Sequence, residues 1–250
     1  MFKHSLAIAR ATLYQLFLIV TVIPYAFACI LWSPLPLHWR YRLTAGWPRL
    51  GVWGAKVILG IRWQIKGAGN LPDGPGILLS KHQSAWETLF FPAYMPRELC
   101  FVYKKELHWV PFFGWGLALL RMIPIDRSKG RDAFEQVVRT GQQRINEGRW
   151  PILFPEGTRI APGKAGRYKL GGALLATRTN TPIIPVAHNA GECWPRNAFI
   201  KKPGLVTVSI GPPIDPAGLT AEAVNQKVRD WIESEMRILN PERYGPDQAT

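Results

Sequence analysis

The sequence predicts an α/β fold, a mixed and largely parallel sheet flanked by helices, with an N-terminal hydrophobic two-helix membrane-associated segment ahead of it. Three observations carry this expectation. Short apolar runs alternate with amphipathic stretches from Ile61 onward, three of those runs end in loops crowded with polar side chains, and the first acidic residue of the chain is Asp73. The chain divides on this reading into a helical, membrane-associated part, residues 1–58, and an α/β domain, residues 59–250.

From Ala11 to Trp39 there is no Lys, Arg, Asp or Glu, and Leu13 to Trp32 is nearly continuous apolar sequence. Such a run is long enough to cross a hydrocarbon core of about 30 Å. A cleaved signal peptide is the competing reading, with Lys3 and Arg10 as its basic region and Ala26-Phe27-Ala28 as its cleavage site. Against it, apolar and aromatic residues continue past that site. Basic residues flank the run on both sides, so the positive-inside rule assigns no direction. Pro24 inside the run, with Pro34 and Pro36 after it, favours a helix that dips into one leaflet and returns, a single span being the alternative. The return is His38 to Leu59, where Trp39, Tyr41, Trp47 and Trp53 mix with Arg40, Arg42, Arg49 and Lys56, the composition of an interfacial helix.

Beyond it, Ile61, Trp63 and Ile65 alternate with Arg62, Gln64 and Lys66 as a strand. Gly67 to Gly76 is a turn, and Ile77 to Ser80 a short buried strand. A helix starts at Trp86 and stops near Pro92 or Pro96. Leu99 to Tyr103 is a further strand, and the apolar run Trp109 to Leu120 is either core or a lining for something greasy, core being preferred. Ile123 to Ile125 leads into Asp126-Arg127. Asp132 to Asn146 is an amphipathic helix with Phe134, Val137, Val138, Gly141 and Ile145 on one side, ended by Gly148. Ile152 to Phe154 is a strand, Tyr168 to Thr179 a helix, Pro182 to Ala187 and Leu205 to Ile210 strands. Leu219 to Leu239 is a helix capped by Thr220, with Val224, Val228, Trp231, Ile232 and Leu239 as its buried stripe.

The composition narrows the function classes. The formal net charge of +14 calls for an acidic partner: nucleic acid, anionic lipid or a phosphorylated small molecule. Nucleic acid leaves the apolar N-terminus unexplained, and no recognition motif supports it. The 3 cysteines, Cys29, Cys100 and Cys193, are far apart, which argues against a zinc site and a disulfide framework and fits a reducing compartment.

In open α/β sheets ligands bind beyond the carboxyl ends of the strands. Three loops in that position carry the chemistry: His82 to Glu87, Asp126-Arg127, and Glu156 to Arg159. In Lys81-His82-Gln83-Ser84-Ala85-Trp86-Glu87-Thr88, Ser84 and Glu87 have the spacing of a helix capping box. The same stretch also suits a general base, His82, whose ring is oriented by Glu87. A separation of five turns a helix through about 500°, so the two groups share no helical face and His82 must precede the helix. Arg127 and Arg159 can each fork two N–H donors onto a phosphate, and Gly157 lets backbone N–H groups approach it. Glu156 would repel a phosphate, and is read as orienting an arginine or accepting a substrate hydroxyl.

These blocks resemble those of a known family. The stretch from His82 to Glu87 looks like the HX4D motif of the glycerolipid acyltransferases. Ile125-Asp126-Arg127, Phe154-Pro155-Glu156-Gly157-Thr158-Arg159 and Ile184-Pro185-Val186 follow in family order, over about residues 60–215. Glu87 stands where the family usually has Asp, and Arg121 and Pro124 where Gly and Phe are more usual, which leaves acceptor identity in doubt. The resemblance implies the glycerol-phosphate acyltransferase fold and transfer of a fatty acyl group from acyl-CoA or acyl carrier protein, as co-substrate and without cofactor or metal. The implied acceptor is the sn-2 hydroxyl of lysophosphatidic acid, giving phosphatidic acid. His82 is then the general base, and Glu87 its orienting carboxylate. Arg127, Glu156, Gly157 and Arg159 form the site for the substrate phosphate, and Lys104 or Lys105 contacts the oxyanion or substrate. The implied location is the bacterial inner (cytoplasmic) membrane, with the active site on the cytoplasmic side. The rival readings are an acyltransferase of this fold acting on glycerol 3-phosphate or a lyso-aminolipid, and a non-catalytic peripheral lipid-binding protein.

Overall fold

An alternating first strand and short continuous apolar runs buried on both faces give seven strands among the described residues: β1 (Ile61–Lys66), β2 (Ile77–Ser80), β3 (Leu99–Lys104), β4 (Ile123–Ile125), β5 (Trp150–Leu153), β6 (Ile183–His188) and β7 (Gly204–Ile210). The computed structural model describes residues 2–244 apart from Phe112, Arg127 and Lys129, and of Phe2, Lys3 and Arg131 only the main chain. The strands form one sheet in the order β1-β7-β6-β2-β5-β3-β4. All neighbours are parallel except β6 and β7, which are antiparallel. The expected mixed, largely parallel sheet is therefore present, and the block β6-β2-β5-β3-β4 turns all five of its carboxyl ends to one edge.

The helices are α1 (Phe2–Leu31), α2 (Leu37–Thr44), α3 (Gly46–Gly54), α4 (Trp86–Tyr94), α5 (Phe113–Leu119), α6 (Arg131–Asn146), α7 (Gly171–Thr179), the single turn α8 (Ala190–Cys193), and α9 (Ala221–Leu239). They make three layers with the sheet. Successive strand residues point to opposite faces, and β2 shows the result. Leu78 joins a cluster with Tyr14, Val52, Leu59, Phe90 and Phe91, while Ile77 and Leu79 join one with Val137, Leu175, Val228 and Ile232. α9 starts as expected, the Thr220 hydroxyl oxygen accepting from the Ala223 N–H at 3.2 Å.

Four expectations change. Pro24 neither ends nor interrupts α1, which continues to Leu31 and contains the apolar helix His4–Leu31, long enough to cross a bilayer. The returning segment is not one helix: α2, α3 and a π-helical turn, Ala55–Leu59, share it. The run Trp109 to Leu120 is core only at its end, where Leu120 is buried, because Trp109, Phe113 and Trp115 are exposed, Trp109 by 78%. The helix expected from Tyr168 begins at Gly171, since the Lys169 N–H is bonded to the Pro155 carbonyl at 2.8 Å.

α1 is tied to the domain along one stripe. Ala11 and Tyr14 are buried, and the Tyr14 hydroxyl donates to the Gly51 carbonyl at 3.0 Å. Close approach there needs a residue without a side chain: a Cβ on Gly54 would lie 2.4 Å from Cε1 of Phe17. The opposite stripe, including Leu13, Leu16, Val20 and Leu31, is exposed.

Candidate active site

The loop after β2 is organised around one carboxylate oxygen beside His82. Glu87 lies in the first turn of α4, fully buried. Its Oε1 accepts from His82 Nδ1 at 2.8 Å, from the Gln83 N–H at 3.0 Å and from the Ser84 N–H at 2.9 Å. The Ser84 hydroxyl oxygen accepts from the Trp86 N–H at 3.1 Å. The cap and the histidine contact, posed as alternatives by the sequence, are thus one arrangement with one oxygen at its centre. Burial pushes the Glu87 carboxyl up, but His188, His82 and the Ser84 N–H outweigh it and hold the group below the ordinary carboxylate value. An ionised carboxylate only accepts, so Nδ1 carries the proton and Nε2 is left as the basic nitrogen. The ring stacks on Phe154, with centroids 4.0 Å apart and planes at 17°.

His188 closes the loop from behind. It is fully buried at the end of β6, its Nε2 donating to the Lys81 carbonyl at 2.8 Å and its Nδ1 accepting from the Ala190 N–H at 3.3 Å. Burial lowers its pKa, against the pull of Glu87.

His82 opens on a cavity of about 1050 Å³. Gly157, Arg159, Lys169 and Lys104 also line it, as do residues of α1 (Val22, Phe27), β3 (Phe101, Tyr103) and α5 (Phe113, Leu117). One end is therefore cationic and the rest apolar and aromatic. Gly157 has φ +67°, and a Cβ there would meet Lys169 Nζ at 2.9 Å. The glycine thus serves the turn and also leaves room for a lysine the sequence analysis passed over, in a stretch assigned to a helix. The aromatic and apolar wall contributed by α1 was likewise assigned only to lipid.

The other expected site residues divide. Lys104 is half exposed and pairs with Glu106 at 3.2 Å, while Lys105 is not in the lining and pairs with Asp126 at 3.4 Å. Arg127 falls outside the described residues. Glu156 is not in the lining either. Its buried carboxylate meets no arginine among the described residues; Oε1 accepts from Lys81 Nζ at 2.7 Å and the Gly166 N–H at 3.2 Å, and Oε2 from the His82 N–H at 3.0 Å.

The sequence model of the Acyltransferase family matches residues 62–189. The chain is 39% identical over 237 residues to the 1-acyl-sn-glycerol-3-phosphate acyltransferase of Pseudomonas aeruginosa, covering 93% of this chain and 92% of that one. It is 29% identical over 204 residues to the human 1-acyl-sn-glycerol-3-phosphate acyltransferase alpha, covering 79% and 71%. In architecture it is similar to the crystal structure of the 1-acyl-sn-glycerophosphate acyltransferase PlsC from Thermotoga maritima, with TM-score 0.75 and 23% identity over 92% of this chain and 95% of that one. The family match runs from β1 to the residue after β6 and so takes in every strand end that feeds the cavity, from His82 to His188: the chain belongs to the acyltransferase family.

Proposed function

We propose that the protein transfers a fatty acyl group from a thioester, on coenzyme A or acyl carrier protein, to the sn-2 hydroxyl of lysophosphatidic acid, giving phosphatidic acid. The observation that carries this reading is the meeting, in one cavity, of a carboxylate-oriented histidine, a cationic end and a long apolar wall. The names of the relatives point to the same acceptor.

His82 Nε2 takes the proton of the acceptor hydroxyl as its oxygen attacks the thioester carbonyl, and Glu87 stabilises the imidazolium so formed. The tetrahedral intermediate then collapses with cleavage of the C–S bond, and the proton leaves with the thiolate. No serine or cysteine nucleophile is needed, since alcohol and thioester react directly. Arg159, Lys169 and the Gly157 turn, with Arg127, hold the acceptor phosphate, and Lys104, in the same lining, serves the oxyanion. The apolar wall takes acyl chain.

A lipid acceptor also gives the exposed apolar surface a purpose. The outer stripe of α1 and the segment bearing Trp109, Phe113 and Trp115 flank the same cavity, and the nearby Lys104 and Lys105 suit anionic headgroups. On this reading both lie in the inner (cytoplasmic) membrane, with the cavity on its cytoplasmic side.

The test is product identification from purified protein given labelled oleoyl-CoA or oleoyl acyl carrier protein and a panel of lysolipids. Phosphatidic acid should dominate. His82→Ala should lower turnover by about 10²–10⁴-fold, the usual range for a general base, while vesicle binding persists. Retained turnover, or preference for another acceptor, would overturn the proposal.

A further inference from the structure

Lys81 stands between an apolar strand and the histidine, with its side chain fully buried. A buried ammonium persists only where it is paired and hydrogen-bonded. Its three N–H donors go to Glu156 Oε1 at 2.7 Å, Glu233 Oε1 at 2.8 Å and the Lys164 carbonyl at 3.2 Å. Glu233 Oε1 also accepts from the Tyr168 hydroxyl at 2.8 Å. Burial opposes the charge on Lys81, but the two carboxylates outweigh it and hold its pKa above the ordinary lysine value. From Glu156 the contact continues to the His82 N–H. An unbroken path of buried polar groups therefore runs from the middle of α9 to the main chain of His82. Lys81, Glu156 and Glu233 are all absent from the cavity lining.

We propose that Lys81, Glu156 and Glu233 are positioning residues: they form a buried bracket that fixes the main chain of His82 and so the ring against the acceptor hydroxyl, Glu156 acting through the histidine and not on the substrate phosphate. The proposal rests on His82 being the base. The remaining main-chain groups are pinned in the same way. The His82 carbonyl accepts from the Ile160 N–H at 2.8 Å, the Lys81 N–H donates to the Val186 carbonyl at 2.9 Å, and His188 holds the Lys81 carbonyl. A misplacement of about 1 Å in a reacting group can cost roughly 10²-fold in rate. A carboxylate in α9 can therefore matter to the chemistry without touching substrate.

The test uses the full-length protein in mixed micelles with 1-oleoyl-lysophosphatidate and oleoyl-CoA, comparing Glu156→Gln, Glu233→Gln and His82→Ala. In Glu156→Gln one of two accepting oxygens becomes an N–H donor that faces a donor. Expected is a kcat about 10-fold lower or more, with KM for lysophosphatidate within about twofold, since the phosphate site is intact. Glu233→Gln leaves one ammonium with one carboxylate and so keeps a folded protein; its kcat should fall about threefold or more at unchanged KM. It carries the test if Glu156→Gln fails to fold. A 10-fold rise in KM at constant kcat in Glu156→Gln would put Glu156 on the phosphate, and unchanged kcat in Glu233→Gln would remove the bracket. Either result with an inactive His82→Ala overturns the bracket alone, whereas an active His82→Ala overturns the assignment of the base as well.

Discussion

His188 shows how much of this site is held by residues that never meet substrate. Its Nδ1 accepts from the Ala190 N–H, which requires a neutral ring, and burial favours that state, with His82 and Lys81 beside it, against the pull of Glu87 and of the Lys81 carbonyl on Nε2–H. A histidine whose folded pKa is depressed binds fewer protons folded than unfolded. Stability contributed by the neutral ring is therefore complete above the unfolded value of about 6.5 and is lost as pH falls from there toward the folded value. One such group gives a slope of at most about 1.4 kcal/mol per pH unit. Melting temperatures between pH 8 and pH 5.5 should fall accordingly, and His188→Gln, which cannot charge, should flatten that part of the curve. Glu87, lowered in the fold, adds its own loss only at more acidic pH, as it protonates. At this scale the sequence was partly legible. The His82 and Glu87 offset followed from helix geometry alone. The Lys81 contact with Glu233 did not, because 152 residues separate the pair and nothing local marks either as the other's partner. A lysine at the end of an apolar strand was the available signal that buried carboxylates had to exist somewhere.

Among the elements, strands were easier to place than helix starts. Period-two alternation fixes a strand by its own side chains, whereas the start of α7 is set by Lys169 being bound to Pro155, a contact from another loop. The segment from Trp109 to Leu120 was misassigned for a related reason: apolar residues signal removal from water, and a lipid or a substrate chain satisfies that as well as a core does. The pairing of α1 with α3 turns on Gly46 and Gly54, whose absent side chains admit Tyr25 and Phe17. Gly54→Val places two methyl groups where the Phe17 ring lies. Overpacking of this kind costs about 1–3 kcal/mol. The variant should melt several degrees lower in detergent and lose vesicle binding before it loses the far-ultraviolet signature of the sheet. An unchanged melting temperature would mean that α1 does not bear on α3.

For the molecule as a whole, the division expected at residue 58 meets a core that crosses it. Tyr14, Val52 and Ala55 belong to the same buried cluster as Leu78, Phe90 and Val206. Val22 and Phe27 of α1 also wall the cavity. Residues 59–250 expressed alone should therefore bind a hydrophobic dye strongly and show little turnover even on monomeric short-chain lysophosphatidate. A stable truncation with full turnover on that soluble acceptor would confine α1 to anchoring. The fold class and the edge of the sheet that bears the site were legible because they depend on alternation and on where strands end. The double use of α1 was not, since an apolar helix reads the same whichever of its faces meets lipid. That double use has a further consequence. An embedded helix tilts to match the thickness of its bilayer, and α1 is also one side of the cavity. Under the function proposed above, the width offered to a fatty chain would then depend on the lipids already present, and the composition of the membrane would feed back on which chains are next added to it.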